Sequence, residues 1–215
     1  PDEDLLVLLD GAFQIRLRYF GRSVQIHQLM NAKSGMCPED CSYCSQSAVS
    51  EAEVEIYGLL DRERLAEGAR RAIDAGSRRY CMVISGRGPT DAEIDHLVEA
   101  VREIKETSGL SICLSLGLLD EKKARRLKDA GVDRLNHNLN TGEGYYPEIC
   151  STHTYADRME TLAAARRAGL ELCSGVIFGQ GERWEDILDV CEALRAMAPE
   201  SIPVNFLHAI PATPL

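Results

Sequence analysis

The chain has 215 residues, enough for one domain with a sizeable core. Its 34 acidic and 24 basic residues give a formal charge of −10, which argues against nucleic acid as a partner. No apolar run approaches the ~18 residues of a membrane span, and the acidic start Pro1-Asp2-Glu3-Asp4 lacks the basic region of a signal peptide.

Residues 4–20 place Leu5, Leu8, Leu9, Ala12 and Phe13 on one side of an expected amphipathic helix. Val24 to Ala32 predicts a first strand. A loop with three cysteines, at Cys37, Cys41 and Cys44, follows it directly. A helix is expected over 61–75, capped by Asp61 and stopped by Gly76, then a second strand over 79–85. Thr90 or Asp91 caps a helix to about Ser108, before a third strand over 110–116. A helix over 120–130 leads to a fourth strand over 133–140, and 142–154 reads as loop. A helix over 155–168, a fifth strand over 170–178, a helix over 183–197 and a sixth strand over 202–207 complete the pattern.

This alternation predicts an α/β fold with a parallel sheet of βαβ units, a (β/α) TIM-type barrel with six strands in this chain. Residues 1–215 read as one barrel domain with an N-terminal helix. Closed eight-stranded barrels need ~250 residues, so the barrel is either open or has two further strands beyond Leu215. The sequence also starts without Met, as expected of a fragment or of a trimmed chain. Chemistry in such barrels sits at the C-terminal ends of the strands, where the cysteine loop lands.

That loop reads Cys37-Pro38-Glu39-Asp40-Cys41-Ser42-Tyr43-Cys44, a C-x3-C-x2-C spacing. Thiolates so close repel unless a metal centre shares their charge. Three ligands are one short of a closed zinc site or an all-cysteine cluster, so a four-iron cluster here would keep one iron open. With no secretory signal, the eight cysteines read as metal or redox chemistry in a reducing cytoplasm rather than as a disulfide framework.

Cys81, Cys113 and Cys173 stand singly on the second, third and fifth strands. One strand cysteine is ordinarily a small buried hydrophobe. Three that all point inward converge, because the strands surround one axis, and could hold a second cluster. Arg79, two residues before Cys81, faces the same side, toward either that cluster or a carboxylate at the barrel floor. Asn136, Asn138 and Asn140 lie at i, i+2 and i+4 and suit a neutral polar ligand such as a urea or a ribose. Asn205 is a fourth candidate amide, unless it simply bonds nearby backbone. Arg158, early in its helix, could reach a carboxylate at the barrel mouth, although a helix arginine is more often a solvated charge. Cys150 and Cys191 read as structural. The histidines show no ligand-like spacing, and His27 and His208 read as satisfied core residues in preference to ones lining the interior.

The cysteine loop, with an aromatic before its last cysteine, resembles the signature of the radical S-adenosylmethionine (SAM) enzymes. Gly175-x-Ile177-x-Gly179-x-x-Glu182 resembles their adenine-side motif. Longer strings are similar to the biotin synthase family: Met36 to Ser47, Tyr80-Cys81-Met82, Asn136 to Thr141 and Cys173-Ser174-Gly175. The resemblance runs from about Val24 to Leu215.

The resemblance implies a [4Fe–4S] cluster on Cys37, Cys41 and Cys44, whose open iron chelates SAM. Reductive cleavage of SAM gives a 5′-deoxyadenosyl radical that abstracts hydrogen from dethiobiotin. An auxiliary cluster, [2Fe–2S] in the family but here either that or another cluster type, would sit on Cys81, Cys113 and Cys173 near Arg79 and donate the sulfur that makes biotin. Tyr43 and Ile177 would meet adenine, Asn138 and Asn140 the ribose, Arg158 the SAM carboxylate, and Asn136 and Asn205 the ureido ring. An electron donor such as flavodoxin or ferredoxin and a homodimer are further implications. Asn140 stands where many members have Asp. The family's fourth auxiliary ligand is an arginine on a later strand, which this sequence does not reach. A radical SAM mutase or maturase without sulfur donation is the competing enzyme reading, and a structural zinc module the non-enzymatic one. The first leaves the three strand cysteines without a use, and the second lacks paired C-x2-C ligand sets.

Overall fold

The computed structural model describes residues 4–215 and alternates strand and helix as the pattern predicts. Helix α1 (Leu5–Phe20) precedes β1 (His27–Lys33), α2 (Arg62–Asp74), β2 (Arg79–Ile84), α3 (Asp91–Thr107), β3 (Ser111–Ser115), α4 (Glu121–Asp129) and β4 (Arg134–Asn136). Then come a single turn α5 (Tyr146–Ile149), α6 (Tyr155–Arg167), β5 (Glu171–Cys173), β6 (Val176–Phe178), α7 (Trp184–Met197) and β7 (Val204–Phe206). Strands β1 to β5 lie side by side in chain order, every pair parallel, and β6 pairs parallel with β7. Single bridges from Asn140 to Val176 and from Cys173 to Ser201 join the two sets. This is a parallel α/β sheet of the barrel kind. Among the described residues, no helix is long and apolar enough to cross a membrane.

The strands divide their side chains between two faces. On β2, Tyr80, Met82 and Ile84 are buried under the helices, while Arg79, Cys81 and Val83 take the other phase. Ile112, Leu114 and Leu135 continue the helix-side layer, and Leu65, Ile94, Leu97 and Leu127 cover it; all seven are fully buried. Each such side chain contributes about 1.5–3 kcal/mol relative to exposure. The caps are local and legible. Asp61 and Asp120 each accept a first-turn N–H, and Thr90 with Glu93 and Thr154 with Asp157 form capping boxes. Each cap is worth about 1 kcal/mol.

Four departures from the sequence pattern have physical causes. The fourth strand stops at Asn136 rather than Asn140: His137 N–H bonds Cys173 C=O and Asn140 N–H bonds Gly175 C=O, three residues against two, and Asn140 rejoins as a single bridge with φ 72, a left-handed conformation that asparagine tolerates. The expected loop over 142–154 contains the turn α5. The fifth strand divides into β5 and β6 at Ser174-Gly175, where pairing passes to the last strand: Ser174 N–H bonds Ser201 C=O and Val176 N–H bonds Pro203 C=O. A Cβ on Gly175 would lie 1.9 Å from that Pro203 oxygen, so this glycine serves approach by the neighbouring chain rather than by a ligand. Finally, α1 forms, but its apolar side meets no core: Leu5, Leu8, Leu9 and Phe13 are 66, 56, 55 and 46% exposed. The helix is held by its Asp4 cap and by Arg16 bonding Gly21 and Ser23 carbonyls. Cys191, His27 and His208 are exposed rather than core residues.

Gly175→Ala should lower the urea midpoint by the equivalent of about 1–3 kcal/mol, because the Pro203 backbone held against it has no flexible end to move aside. Gly11 sits on exposed α1 with nothing within 4 Å of its would-be Cβ. Gly11→Ala should be neutral or gain about 0.5–1 kcal/mol. Equal midpoints for the two variants would contradict the strand contact.

Candidate functional site

The segment between β1 and α2 has no regular structure through the cysteines, so side chains must fix it. Gln46 closes its base, its Oε1 accepting Gly35 N–H at 2.8 Å and Ser34 Oγ at 3.3 Å. Glu39 and Asp40 then tie the loop to residues 150–153 after α5. Asp40 Oδ1 accepts from Ser151 N–H at 2.9 Å, Thr152 N–H at 3.1 Å and Cys150 Sγ at 3.2 Å, while Oδ2 accepts the Ser151 hydroxyl. Glu39 Oε2 accepts Thr152 Oγ1 at 2.8 Å, pairs with His153 Nδ1 at 2.5 Å and faces Arg87. Ser42 N–H adds a bond of 2.9 Å to Ile149 C=O.

The capping box of α6 sets Arg158 in the first turn, pointing inward. It is buried, not solvated as a helix arginine usually is. Its Nε donates to Tyr146 Oη, Nη1 to Asn138 C=O at 2.8 Å and Nη2 to His153 Nε2 at 2.9 Å. Among the described residues, no carboxylate pairs with it. Burial opposes its charge, but the Tyr43 and Tyr146 hydroxyls outweigh that and raise its pKa.

These elements enclose a cavity of about 270 Å³ at the C-terminal ends of the strands. It is lined by Cys37, Cys41, Cys44 and Tyr43 from the loop, by Asn136, His137, Asn138 and Asn140, and by Arg158 and Ile177. The amides reach it by a turn, since strand geometry ends at Asn136. Asn140 Nδ2 donates to Tyr43 Oη at 2.6 Å, and Asn140 C=O accepts Ile177 N–H at 2.9 Å. His137 is buried with its Nε2 unpartnered; burial, then Arg158 and His153, hold it well below the usual imidazole range. Burial raises the Cys44 thiol, and nearby Cys37 adds to this.

One layer nearer the strand starts, the sheet register sets Cys81 beside Cys113, Cys113 beside Arg134, and Asn136 beside Cys173. Asn136 Nδ2 lies 3.2 Å from Cys173 Sγ and 3.3 Å from Cys173 C=O. A bond from Cys81, then burial, push the Cys113 thiol up. Glu171 takes Arg134 at 2.7 Å and Arg79 Nη2 at 3.4 Å. Arg79 therefore meets a carboxylate, yet its Nε and Nη1 stay buried without partners.

The structure thus gathers Tyr43, Asn136, Asn138, Asn140, Arg158 and Ile177 around the three loop cysteines. It does not bring Asn205 to the cavity: that amide is exposed on β7 and donates to Val176 C=O at 3.1 Å. The sequence reading missed Glu39, Asp40 and His153, and took Cys150 as structural. Cys150 is buried with its sulfur 3.8 Å from Cys41 Sγ. The available signals were adjacent acids inside a thiol loop and the Cys150-x2-His153 spacing. The motif's Glu182 also has a local cause: its carboxylate accepts Gly179 and Gln180 N–H, both at 2.7 Å.

A family model described as the radical SAM superfamily matches residues 33–194. Biotin synthase from Bacillus subtilis (strain 168) is 54% identical over 215 residues, all of this chain and 64% of that protein. Biotin synthase from Geobacillus kaustophilus (strain HTA426) is also 54% identical, over all of this chain and 65% of that protein. The chain therefore spans just under two thirds of these relatives. Among solved structures, methylornithine synthase superposes with a TM-score of 0.88 at 22% identity, covering 99% of this chain and 63% of that one. The FeFe-hydrogenase maturase HydG from Carboxydothermus hydrogenoformans gives 0.85 at 19% identity, covering 100% and 52%.

The loop clamp makes stability pH-dependent. Partial burial works against Asp40's charge, but the bonds from Ser151, Cys150 and Thr152 hold its carboxylate well below the usual range. A depressed folded value stabilises above the unfolded pKa of about 3.9 and is lost as pH falls further. Asp40→Asn should lower the urea midpoint at pH 7, and the gap to wild type should narrow below about pH 4. A gap undiminished in acid would contradict the clamp.

Proposed function

The chain belongs to the radical SAM superfamily, and on that premise we propose that it inserts sulfur into dethiobiotin to form biotin. The observation that carries the reading is the second set of thiols: Cys81, Cys113 and Cys173 on the inner sheet face, beneath the cavity that holds the C-x3-C-x2-C loop. Full-chain identity of 54% to biotin synthases supports it. A mutase or maturase without sulfur donation has no use for those three thiols.

The residues fit the groups this chemistry needs. Cys37, Cys41 and Cys44 would hold a [4Fe–4S] cluster, which supplies an electron to cleave SAM and generate the radical. The buried arginine without a carboxylate, Arg158, suits the SAM carboxylate. Asn138 and Asn140 offer neutral donors and acceptors to the ribose, and Tyr43 and Ile177 flank the adenine side. Cys81, Cys113 and Cys173 would hold an auxiliary cluster, [2Fe–2S] in type, which supplies the sulfur. The two unpartnered N–H groups of Arg79 suit its negative charge. Asn136, bonded to Cys173, stands between the two levels and would hold the ureido ring. Asn205 joins it there only by releasing Val176 C=O. Residues 1–215 act as one barrel domain in this reading, with a flavodoxin or ferredoxin as reductant, in a cytoplasmic homodimer.

Anaerobic reconstitution should load more iron and sulfide than one four-iron cluster. Cys41→Ala should abolish release of 5′-deoxyadenosine. Cys113→Ala should keep that release, drop the iron to one cluster's worth and lose biotin formation. Wild-type iron at the level of a single four-iron cluster, or normal biotin formation by Cys113→Ala, would sink the sulfur-insertion reading.

A further inference from the structure

Cys150 has no part in the reading above, yet it sits against one of the cluster cysteines. Cys41, Cys150 and His153 offer donor atoms that all lie within 4.8 Å of one another, and the three residues are only 8, 5 and 6% exposed. We propose that this trio is a mononuclear zinc site, filled when the loop carries no cluster. Its exclusion of the cluster, through shared Cys41, rests on the function proposed above; the zinc binding itself does not.

The spacing matches tetrahedral zinc. With Zn–S near 2.3 Å, two thiolates on one ion stand about 3.8 Å apart. Cys41 Sγ and Cys150 Sγ are 3.8 Å apart. Cys150 Sγ lies 3.2 Å from His153 Nδ1 and 3.8 Å from Nε2. The histidine is oriented as a ligand usually is: Glu39 pairs with Nδ1 at 2.5 Å, leaving the Nε2 lone pair to act as acceptor. Arg158 Nη2 now meets that lone pair at 2.9 Å and is the group an ion would displace. Asp40 Oδ1, 3.2 Å from Cys150 Sγ, accepts from that thiol and holds it in place beside Cys41.

Charge points the same way. Once deprotonated, the two thiols with Glu39 and Asp40 make four negative charges, and among them Arg87 pairs with Glu39. A divalent cation offsets the two thiolate charges as it releases their protons, in a site where uncompensated buried charge is costly. Thiolate and imidazole donors select zinc over the hard cations magnesium and calcium. Binding consumes no oxidant: two thiol protons leave as the ion enters.

The test uses the whole chain, purified without cluster under anaerobic conditions and titrated with Co²⁺ as a spectroscopic stand-in and then with Zn²⁺. One Co²⁺ per chain is expected, with thiolate-to-cobalt charge-transfer bands and tetrahedral d–d bands. Cys150→Ser should weaken binding by about 100-fold or more, since losing even an outer-shell partner costs about 10–100-fold. Cys37→Ser should leave it unchanged. X-ray absorption on the zinc-loaded wild type, which needs no variant to fold, should find two sulfurs and one imidazole nitrogen. Prebound zinc should slow four-iron cluster assembly in wild type and not in Cys150→Ser. Three sulfurs around zinc, equal weakening by both variants, or no uptake would overturn the site. Failure of auxiliary-cluster loading would sink sulfur insertion while leaving zinc uptake intact, so the two ideas fail separately.

Discussion

The structure depends on two adjacent carboxylates holding an irregular loop in place. A segment that carries three thiols cannot rely on a helix or sheet ladder for its position, because none runs through it. Glu39 and Asp40 supply the missing order by accepting side-chain and backbone donors from Ser151, Thr152 and His153, more than a hundred positions away in sequence. A charged acceptor makes each of these bonds stronger than a neutral one. Because α6 begins immediately after, the same clamp also sets where Arg158 enters the cavity. Loop, histidine and arginine are therefore tied into one hydrogen-bonded network.

Below that unit the barrel separates two environments by strand phase alone. Tyr80, Met82, Ile112 and Leu114 lie under the helices and form the core. Their immediate neighbours Arg79, Cys81 and Cys113 take the other face. Thiols and guanidinium groups thus share strands with the best-buried hydrophobes without disturbing them. Arg134 and Arg79 converge on the single carboxylate of Glu171, leaving the inner floor short of negative charge. The unpartnered Arg79 nitrogens record that shortage.

Elements were legible wherever one local rule decided them. The cap at Asp61, the cap at Thr90 and the shared face of Arg79 and Cys81 follow from residue type and spacing. What was not legible came from contacts distant in sequence. Cys150 looks like an ordinary small residue until α5 folds and brings it against Cys41. The charge of Arg158 looks solvated until Tyr146 and His153 enclose it. Asn138 and Asn140 were expected to share a face through strand pleating, and they line one cavity although the pleat ends before them. The break has a cause that spacing hides: three residues here run against two on the neighbouring chain, and Asn140 takes a left-handed backbone where it bridges β6. The exposed apolar side of α1 shows the opposite case, in which correct helical spacing carries no information about what the face meets.

Asn140 also shows why an amide differs from an acid at that point. Its Nδ2 donates to the Tyr43 hydroxyl, and its carbonyl oxygen accepts from Ile177 N–H. An aspartate could keep the backbone bond, but it can only accept from the tyrosine, reversing that proton's direction. The hydroxyl would then be spent on the carboxylate instead of being free to donate toward the loop. It would also place a negative charge in a cavity where burial already pushes the Cys44 thiol up, opposing its ionisation further. In this chain the neutral side chain lets Tyr43 link the cysteine loop to the sheet while adding no charge to the cavity. The neutral amide thus leaves the Glu39–Asp40 clamp as the carboxylate charge beside the loop.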